Sequence, residues 1–170
     1  MDAPPDLERI DHFINITNKL VNAEINAPKI ISFDTELGFI LMTDFGSQTF
    51  LDVLDSNNSR NLYSKAIHSL LEIQTKVDIK GLQDYSEDLL LGEMLLFPEW
   101  YLTKFKKFKL EDQAVVHEIF SLISKKTLTQ NKCFIHRDYH SRNLMFIEED
   151  NLGILDYQDA VVGPLTYDLV

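Results

Sequence analysis

The chain has 170 residues and is acidic, with a formal net charge of -11. Hydrophobic residues make up 45% of it and charged residues 25%, which is typical of a globular domain with its own core. The negative charge disfavours phosphate backbones and anionic lipid, and every apolar run is far shorter than the roughly 20 residues of a membrane helix. We therefore expect no nucleic-acid or membrane partner. The single cysteine, Cys133, permits no internal disulfide, which suits a cytoplasmic protein.

The first quarter of the chain predicts a helix followed by a β-hairpin. A proline turn precedes apolar residues at helical spacing over residues 6–23, with Asp6 as the N-cap. Residues 29–34 and 38–45 alternate like two strands, and Gly38 closes the turn between them. From Ser47 the pattern changes to helical. We therefore expect one unit at residues 1–46 and a second at residues 47–170.

The second unit begins with a run of predicted helices. Ser47 or Thr49 caps a short helix that ends at Leu54, and residues 61–77 form an amphipathic helix. Residues 84–108 predict a long helix kinked near Pro98 and so apolar that we expect it in the middle of this unit. Residues 111–127 form a last amphipathic helix. The residues expected to be buried on these helices are Leu62, Ala66, Ile67, Leu70, Leu71, Gln74, Trp100, Tyr101, Val115, Val116, Ile119, Phe120, Leu122 and Ile123.

The most informative stretch is the polar loop after Phe134. It lies between two apolar runs, which predict strand, loop and strand, and a further apolar run returns Asp156 to the loop. His-Arg-Asp at 136–138, four residues and then Asn143 fit the kinase catalytic-loop pattern H-R-D-x-x-x-x-N. In that pattern Asp138 accepts a proton from a substrate hydroxyl. Asn143 and Asp156 are oxygen ligands of the kind that Mg²⁺ prefers.

Two features of this stretch separate the possible classes of enzyme. Tyr157 and Gln158 follow Asp156 where a protein kinase has Phe-Gly, which favours a kinase of small molecules. The alternative is a metal-dependent hydrolase, because histidine and carboxylate at alternate loop positions are ordinary transition-metal ligands. An asparagine at the kinase spacing, which a zinc hydrolase does not need, favours the kinase. The ligands of the alternative site would be His136, Asp138, His140, Asp156 and Asp159.

The sequences at 136–145 and 154–170 resemble the aminoglycoside phosphotransferase and choline kinase superfamily. This resemblance implies an α+β, protein-kinase-like two-lobed fold, ATP as co-substrate, Mg²⁺ and a small-molecule acceptor. Residues 1–5, 41–46 and 96–102 are similar to the bacterial anomeric kinases for N-acetylmuramate and N-acetylglucosamine, which serve cell-wall sugar recycling. An aminoglycoside or a choline or homoserine-type acceptor is the alternative within the superfamily.

The resemblance also implies roles for individual residues. Residues 1–46 would be the small lobe and hinge, and residues 47–170 the catalytic lobe. The hinge residues Thr43, Asp44 and Phe45 would lie beside the nucleotide. His136 would brace the catalytic loop, with Asp168 as its anchor from below. The remaining residues expected to contact substrate or to support those that do are Arg137, Tyr139, His140, Arg142 and Asp159.

Some parts of a kinase are missing from the sequence. No glycine-rich phosphate loop is present, and Met1 and Asp2 stand where the phosphate-binding lysine would be. Glu8 is the candidate for the glutamate that pairs with such a lysine. We expect a partial sequence that lacks the first strands of the small lobe and the last helices of the large lobe. Alternatively Met1 is a genuine start, or the chain is an inert or binding-only fragment.

Overall fold

The structure is a computed structural model that describes residues 1–4, 10–109, 112–148 and 151–169. The expected N-cap Asp6 and the candidate glutamate Glu8 lie outside these residues. The mixture of helices and strands confirms the predicted α+β class. In chain order the elements are α1 (Ile10–Asn22), β1 (Ile30–Asp34), β2 (Phe39–Met42), α2 (Phe50–Val53), α3 (Ser59–Lys76), α4 (Glu87–Leu96), a π-helix (Phe97–Phe105), α5 (Gln113–Thr127), β3 (Lys132–Ile135), β4 (Leu144–Glu148), β5 (Asn151–Ile154), β6 (Val161–Pro164) and a 3₁₀ helix (Tyr167–Leu169).

The strands of the described residues pair as β1 with β2, β3 with β6 and β4 with β5, all antiparallel. In the first hairpin Gly38 has a φ of 72°, a left-handed conformation that glycine adopts without steric cost. The second predicted strand is shorter than expected, because β2 ends at Met42. Thr43, Asp44 and Phe45 therefore lie in a segment without regular structure after the strand.

Helix α1 packs directly against the segment that follows β5. Its buried face includes Phe13 and Thr17. The ring of Phe13 stacks on the ring of Tyr157 with centroids 5.3 Å apart, and the hydroxyl groups of Thr17 and Tyr157 are hydrogen-bonded at 3.0 Å. Tyr157 is buried in one apolar cluster with residues from both sides of Gly46. The N-terminal elements therefore support the chain next to Asp156.

The predicted helix caps and stripes agree with the structure in part. Thr49 caps α2 in a capping box, since its side chain accepts from the N–H of Asp52 and the Asp52 carboxylate accepts from the N–H of Thr49. The buried stripe of α3 is narrower than predicted, because Ile67 and Leu71 are each 49% exposed. The buried residues of α3 are Leu62, Ala66, Leu70 and Ile73.

The prediction that the helix over residues 84–108 is buried was wrong. Leu90 is buried in α4, but Trp100 is 57% exposed and Tyr101 46% exposed. The physical reason is that α4 contacts α5 and continues into the π-helix, while the opposite side of these helices is not covered by described residues. The residues of α5 that were predicted to be buried and are exposed are Val115, Ile119, Leu122 and Ile123.

The predicted kink at Pro98 takes the form of a change of helix type. Proline has no N–H to donate to the preceding turn, and the chain widens from α-helix to π-helix at Phe97. Lys106 N–H then donates to the carbonyl of Tyr101, five residues earlier, at 2.9 Å. Among the described residues, no helix combines the length and apolar character needed to cross a bilayer.

The loop after β3 is fixed from the 3₁₀ helix. The carboxylate of Asp168 accepts from the backbone N–H of His136 at 2.8 Å and of Arg137 at 2.9 Å. This confirms the expectation that Asp168 anchors the catalytic loop. Burial raises the pKa of Asp168 to about 6, and the two N–H donors offset only part of that effect.

The contact between Phe45 and Gly153 predicts the effect of a substitution. A Cβ at Gly153 would stand 2.4 Å from Cδ2 of Phe45, so Gly153→Ala must displace the ring and should lower the free energy of unfolding by about 1 to 3 kcal/mol. Gly92→Ala is the control, because nothing lies within 4 Å of its Cβ and alanine is the better helix former by up to about 1 kcal/mol. Urea denaturation measures both. A Gly153→Ala protein as stable as the wild type would show that this contact is not close.

The raised pKa of Asp168 predicts a pH dependence of stability. The pKa of Asp168 in the folded protein lies above the ordinary value of 3.8, so the folded state binds the proton more tightly than the unfolded state. This proton-linked contribution to stability is therefore lost as the pH rises from about 4 through about 6. Asp168→Asn should lack this dependence. The free energy of unfolding of the wild type minus that of the variant should fall by up to about 3 kcal/mol over that range. Denaturant titrations at a series of pH values measure it, and parallel profiles would contradict the assignment.

Candidate active site

The β4–β5 hairpin brings two of the predicted site residues together. Leu144 pairs with Ile154, so Asn143 just before β4 lies beside the chain leaving β5. The amide nitrogen of Asn143 donates to the Asp156 carboxylate at 3.0 Å and to the backbone carbonyl of Asp138 at 2.9 Å. One side chain therefore joins Asp138, Asn143 and Asp156, the three residues predicted to carry the chemistry.

Two residues of the site have left-handed backbone conformations. Arg137 has a φ of 78° and Asp156 a φ of 64°, which cost free energy in residues other than glycine and are concentrated at functional sites. The carboxylate of Asp156 is oriented from both sides, because Gln158 donates to its Oδ1 at 2.8 Å and Asn143 to its Oδ2 at 3.0 Å. The backbone turn at Asp156 therefore directs an exposed carboxylate toward the catalytic loop.

The ligand chemistry of this pair fits a magnesium ion. The Asn143 amide uses its nitrogen in both hydrogen bonds, and its oxygen accepts no hydrogen bond from the described residues. These are hard oxygen ligands, and Mg²⁺ takes one or two such groups from a protein together with phosphate oxygens and water. Asp138 and Asp156 are both exposed, so a ligand can reach them.

His136 lies beneath the loop and is fully buried. Its Nε2 donates to the carbonyl of Leu155 at 2.9 Å, which links β3 to the residue before Asp156. Burial lowers the pKa of His136 to about 4, so the imidazole is neutral at ordinary pH. Its ring meets the ring of Tyr139 edge to face, with centroids 5.5 Å apart. These contacts support the loop from beneath.

Arg137 belongs to a polar cluster under the loop. Its guanidinium pairs with Glu93 of α4 at 2.7 Å, and Glu93 also accepts from the hydroxyl groups of Tyr85 and Tyr167. Burial alone would raise the pKa of Glu93, but these three donors outweigh it and lower the pKa. The sequence interpretation missed Glu93. The available signal was its position as the one charged residue in the apolar run 89–98.

The structure places the other predicted loop residues in different surroundings. The hydroxyl of Tyr139 donates to the carbonyl of Ala66 on α3 at 2.7 Å, so this side chain holds the loop to α3. His140 and Arg142 are exposed on the loop. The side chain of Asp159 is also exposed, and its backbone carbonyl accepts from Arg137 at 3.4 Å.

Residues 43–45, the predicted hinge, are joined to the same hairpin. Thr43 is held to Lys29, whose N–H donates to the threonine hydroxyl at 2.9 Å, and Asp44 accepts from the N–H of Gly46 at 2.8 Å. Phe45 packs on Gly153 in β5, two residues before Leu155. The next residues are hydrogen-bonded to β4 and the loop, since Phe146 N–H donates to the carbonyl of Gln48 and Leu51 N–H donates to the carbonyl of Ser141. The structure therefore connects residues 43–51 with the sheet that carries Asp156.

Comparison with proteins of known sequence gives consistent matches. The N-acetylmuramate/N-acetylglucosamine kinase of Pseudomonas aeruginosa is 42% identical over 172 residues, which cover 99% of this chain and 50% of that protein. The kinase of the same name from Neisseria meningitidis serogroup B is 34% identical over 181 residues, covering 100% of this chain and 52% of its own length. The chain therefore spans about half the length of the curated relatives it matches.

Solved structures share the fold at low sequence identity. The choline kinase LicA from Streptococcus pneumoniae aligns with a TM-score of 0.64 at 17% identity, covering 93% of this chain and 53% of that one. The gentamicin-APH(2")-IIa complex aligns with a TM-score of 0.63 at 15% identity, covering 92% and 56%. Both likenesses confirm the predicted kinase-like fold. A family profile also matches residues 1–170 in full, and the chain therefore belongs to the phosphotransferase enzyme family APH.

Proposed function

We propose that the protein is an ATP-dependent kinase that transfers the γ-phosphoryl group to a hydroxyl of an N-acetylated amino sugar. The observation that carries this proposal is the position of the Asn143 amide between the Asp138 carbonyl and the Asp156 carboxylate. Phosphoryl transfer asks a protein mainly to position the reactants and to stabilise charge. A loop aspartate beside two oxygen ligands meets both requirements.

Asp138 is the proposed base. Its side chain is exposed, while its backbone carbonyl accepts from both His140 N–H and the Asn143 amide, so the backbone on its C-terminal side is fixed. The carboxylate accepts the proton of the acceptor hydroxyl and orients that oxygen toward the phosphorus. A general base of this kind contributes roughly 100- to 10,000-fold to a rate.

Asn143 and Asp156 are the proposed magnesium ligands, and residues 43–45 the proposed nucleotide neighbours. Magnesium bound there would neutralise charge on the phosphate oxygens of ATP. The contact of Phe45 with Gly153 supports the nucleotide assignment, because it connects the hinge to the strand that leads to Asp156. Residues 1–46 and 47–170 would then be the two lobes, with ATP between them.

The acceptor is proposed from the relatives, which are named as N-acetylmuramate/N-acetylglucosamine kinases. The family resemblance of the sequence points to the anomeric hydroxyl, which would give a sugar 1-phosphate for cell-wall sugar recycling in the cytoplasm. The exposed side chains of His140 and Arg142 lie on the same loop as Asp138 and carry hydrogen-bond donors. We assign them to the acceptor or to the phosphates.

The contacts of His136 favour the kinase over the metal-dependent hydrolase. His136 is buried and donates through Nε2 to Leu155, so it does not face the exposed carboxylates. Within the described ranges, no three His, Cys, Asp or Glu side chains form a metal-binding group. The ligand set that the hydrolase requires is therefore not assembled.

Asp138→Asn tests the base. The variant keeps the size of the side chain but accepts a proton far less readily, so turnover should fall by about 100- to 10,000-fold. The measurement is MgATP-dependent release of ADP with N-acetylmuramate, N-acetylglucosamine, choline and an aminoglycoside as separate acceptors. We expect activity with the amino sugars. Turnover of the variant within a few-fold of the wild type would remove Asp138 from this role.

Asp156→Asn tests the metal site. Loss of the charged ligand should raise the magnesium concentration needed for half-maximal rate by at least about tenfold, since losing even a supporting group of a metal site costs about 10- to 100-fold. Asp34→Asn is the matched control, because Asp34 accepts from Glu36 and Leu37 N–H in the β1–β2 turn and asparagine keeps that acceptor. Equal magnesium titrations for Asp156→Asn and Asp34→Asn would exclude Asp156 as a ligand.

A further inference from the structure

We propose that Glu93 is a positioning residue that holds the catalytic loop in its active geometry through Arg137. This inference rests on the proposed function, because the geometry in question is that of Asp138. Glu93 lies on α4 and is remote in sequence from the loop, since the two partners of the ion pair are 44 positions apart. Its carboxylate nevertheless contacts the residue next to the proposed base.

The loop needs such a contact because of the backbone at Arg137. The φ of 78° at this residue is unfavourable for a side chain of its size, so surrounding contacts must maintain it. It also sets the direction in which the chain presents Asp138. Relaxation of Arg137 to an ordinary φ would move the next residue, Asp138, whose backbone carbonyl accepts from the Asn143 amide.

Glu93 and Asp168 hold Arg137 from its two ends. Asp168 accepts from the Arg137 backbone N–H at 2.9 Å, and Glu93 accepts from the guanidinium at 2.7 Å. The backbone contact alone leaves the side chain free to swing. The ion pair fixes it, and the guanidinium also lies 5.9 Å from the ring centroid of Tyr85.

The carboxylate of Glu93 is itself oriented by further donors. One oxygen pairs with Arg137, and the other accepts from Tyr85 and from Tyr167, the latter at 2.7 Å. Tyr167 is adjacent to Asp168 in the 3₁₀ helix, so the two carboxylates that hold Arg137 are linked. The side chains of Arg137 and Glu93 are 24% and 27% exposed, which leaves the pair largely shielded from water. Such shielding strengthens a charge pair relative to an exposed one.

The test compares Glu93→Gln with Glu99→Gln. Both remove one carboxylate from an ion pair on neighbouring helical segments, but Glu99 pairs with Lys104, and these two side chains are 57% and 48% exposed. We expect hydrogen exchange of the His136 and Arg137 amides to be about tenfold faster in Glu93→Gln and unchanged in Glu99→Gln. Unchanged exchange in Glu93→Gln overturns the inference, whatever the activity.

Activity supplies a second readout that a merely structural role would not move in the same way. Glu93→Gln should lower kcat by about 10- to 100-fold while the KM for ATP stays within about threefold. In an Asp138→Asn background the same substitution should cause no further loss, because the base that it positions is absent. An equal loss in both backgrounds, or an unchanged kcat despite faster exchange, overturns the inference.

The two proposals fail in different ways. A wild-type protein that transfers no phosphoryl group to any acceptor contradicts the proposed function, and amide exchange still decides whether Glu93 holds the loop. If the protein is active but hydrogen exchange of the loop amides is unchanged by Glu93→Gln, the positioning role is contradicted and the kinase assignment stands.

Discussion

The amide group of Asn143 donates to Asp138 and to Asp156, which lies 13 residues further along the chain, and the site depends on this bridge. The bridge forms because the β4–β5 hairpin brings the chain that follows β5 back beside Asn143, the residue before β4. Its geometry needs a left-handed backbone at Asp156, whose carboxylate then faces the loop. A short hairpin with one amide at its open end is therefore enough to bring the proposed base and the two proposed magnesium ligands together.

The rest of the fold maintains that arrangement against its conformational cost. Asp168 holds two backbone N–H groups of the loop, His136 joins the loop to Leu155, and Glu93 pairs with Arg137. Helix α1 packs on Tyr157, the residue after Asp156. The contacts come from both sides of Gly46, so the N-terminal elements and the catalytic loop support one site. The division into lobes at that residue stays a prediction.

The proximity of Asp138, Asn143 and Asp156 was predictable from the sequence because these residues lie close together along the chain. Asp138 and Asn143 stand at a spacing that belongs to one loop, and Asp156 follows the next apolar run. Strand β2 and the capping residue Thr49 were also recognisable from turn and cap chemistry. The contact of Tyr139 with Ala66 was not predictable, because it joins residues 73 apart.

Burial was predicted less well, for a physical reason. An amphipathic or apolar pattern shows which face of a helix avoids water but not which element covers it. Several apolar residues of the π-helix and α5, such as Trp100, have the sequence pattern of buried residues. They are nevertheless exposed, because no described residues cover them. Glu93 is the opposite case, because it is a charged residue in an apolar run. Its partner Arg137 could be identified only from the structure.

The central claim is that the protein transfers a phosphoryl group to a sugar rather than to water. Phosphorus NMR of a reaction containing MgATP and N-acetylmuramate tests it most directly. The account predicts a new sugar-phosphate resonance coupled to the anomeric proton, growing as the γ-phosphate resonance of ATP declines, and absent with Asp138→Asn. Formation of inorganic phosphate alone, or a sugar phosphate that forms equally well with Asp138→Asn, would contradict it.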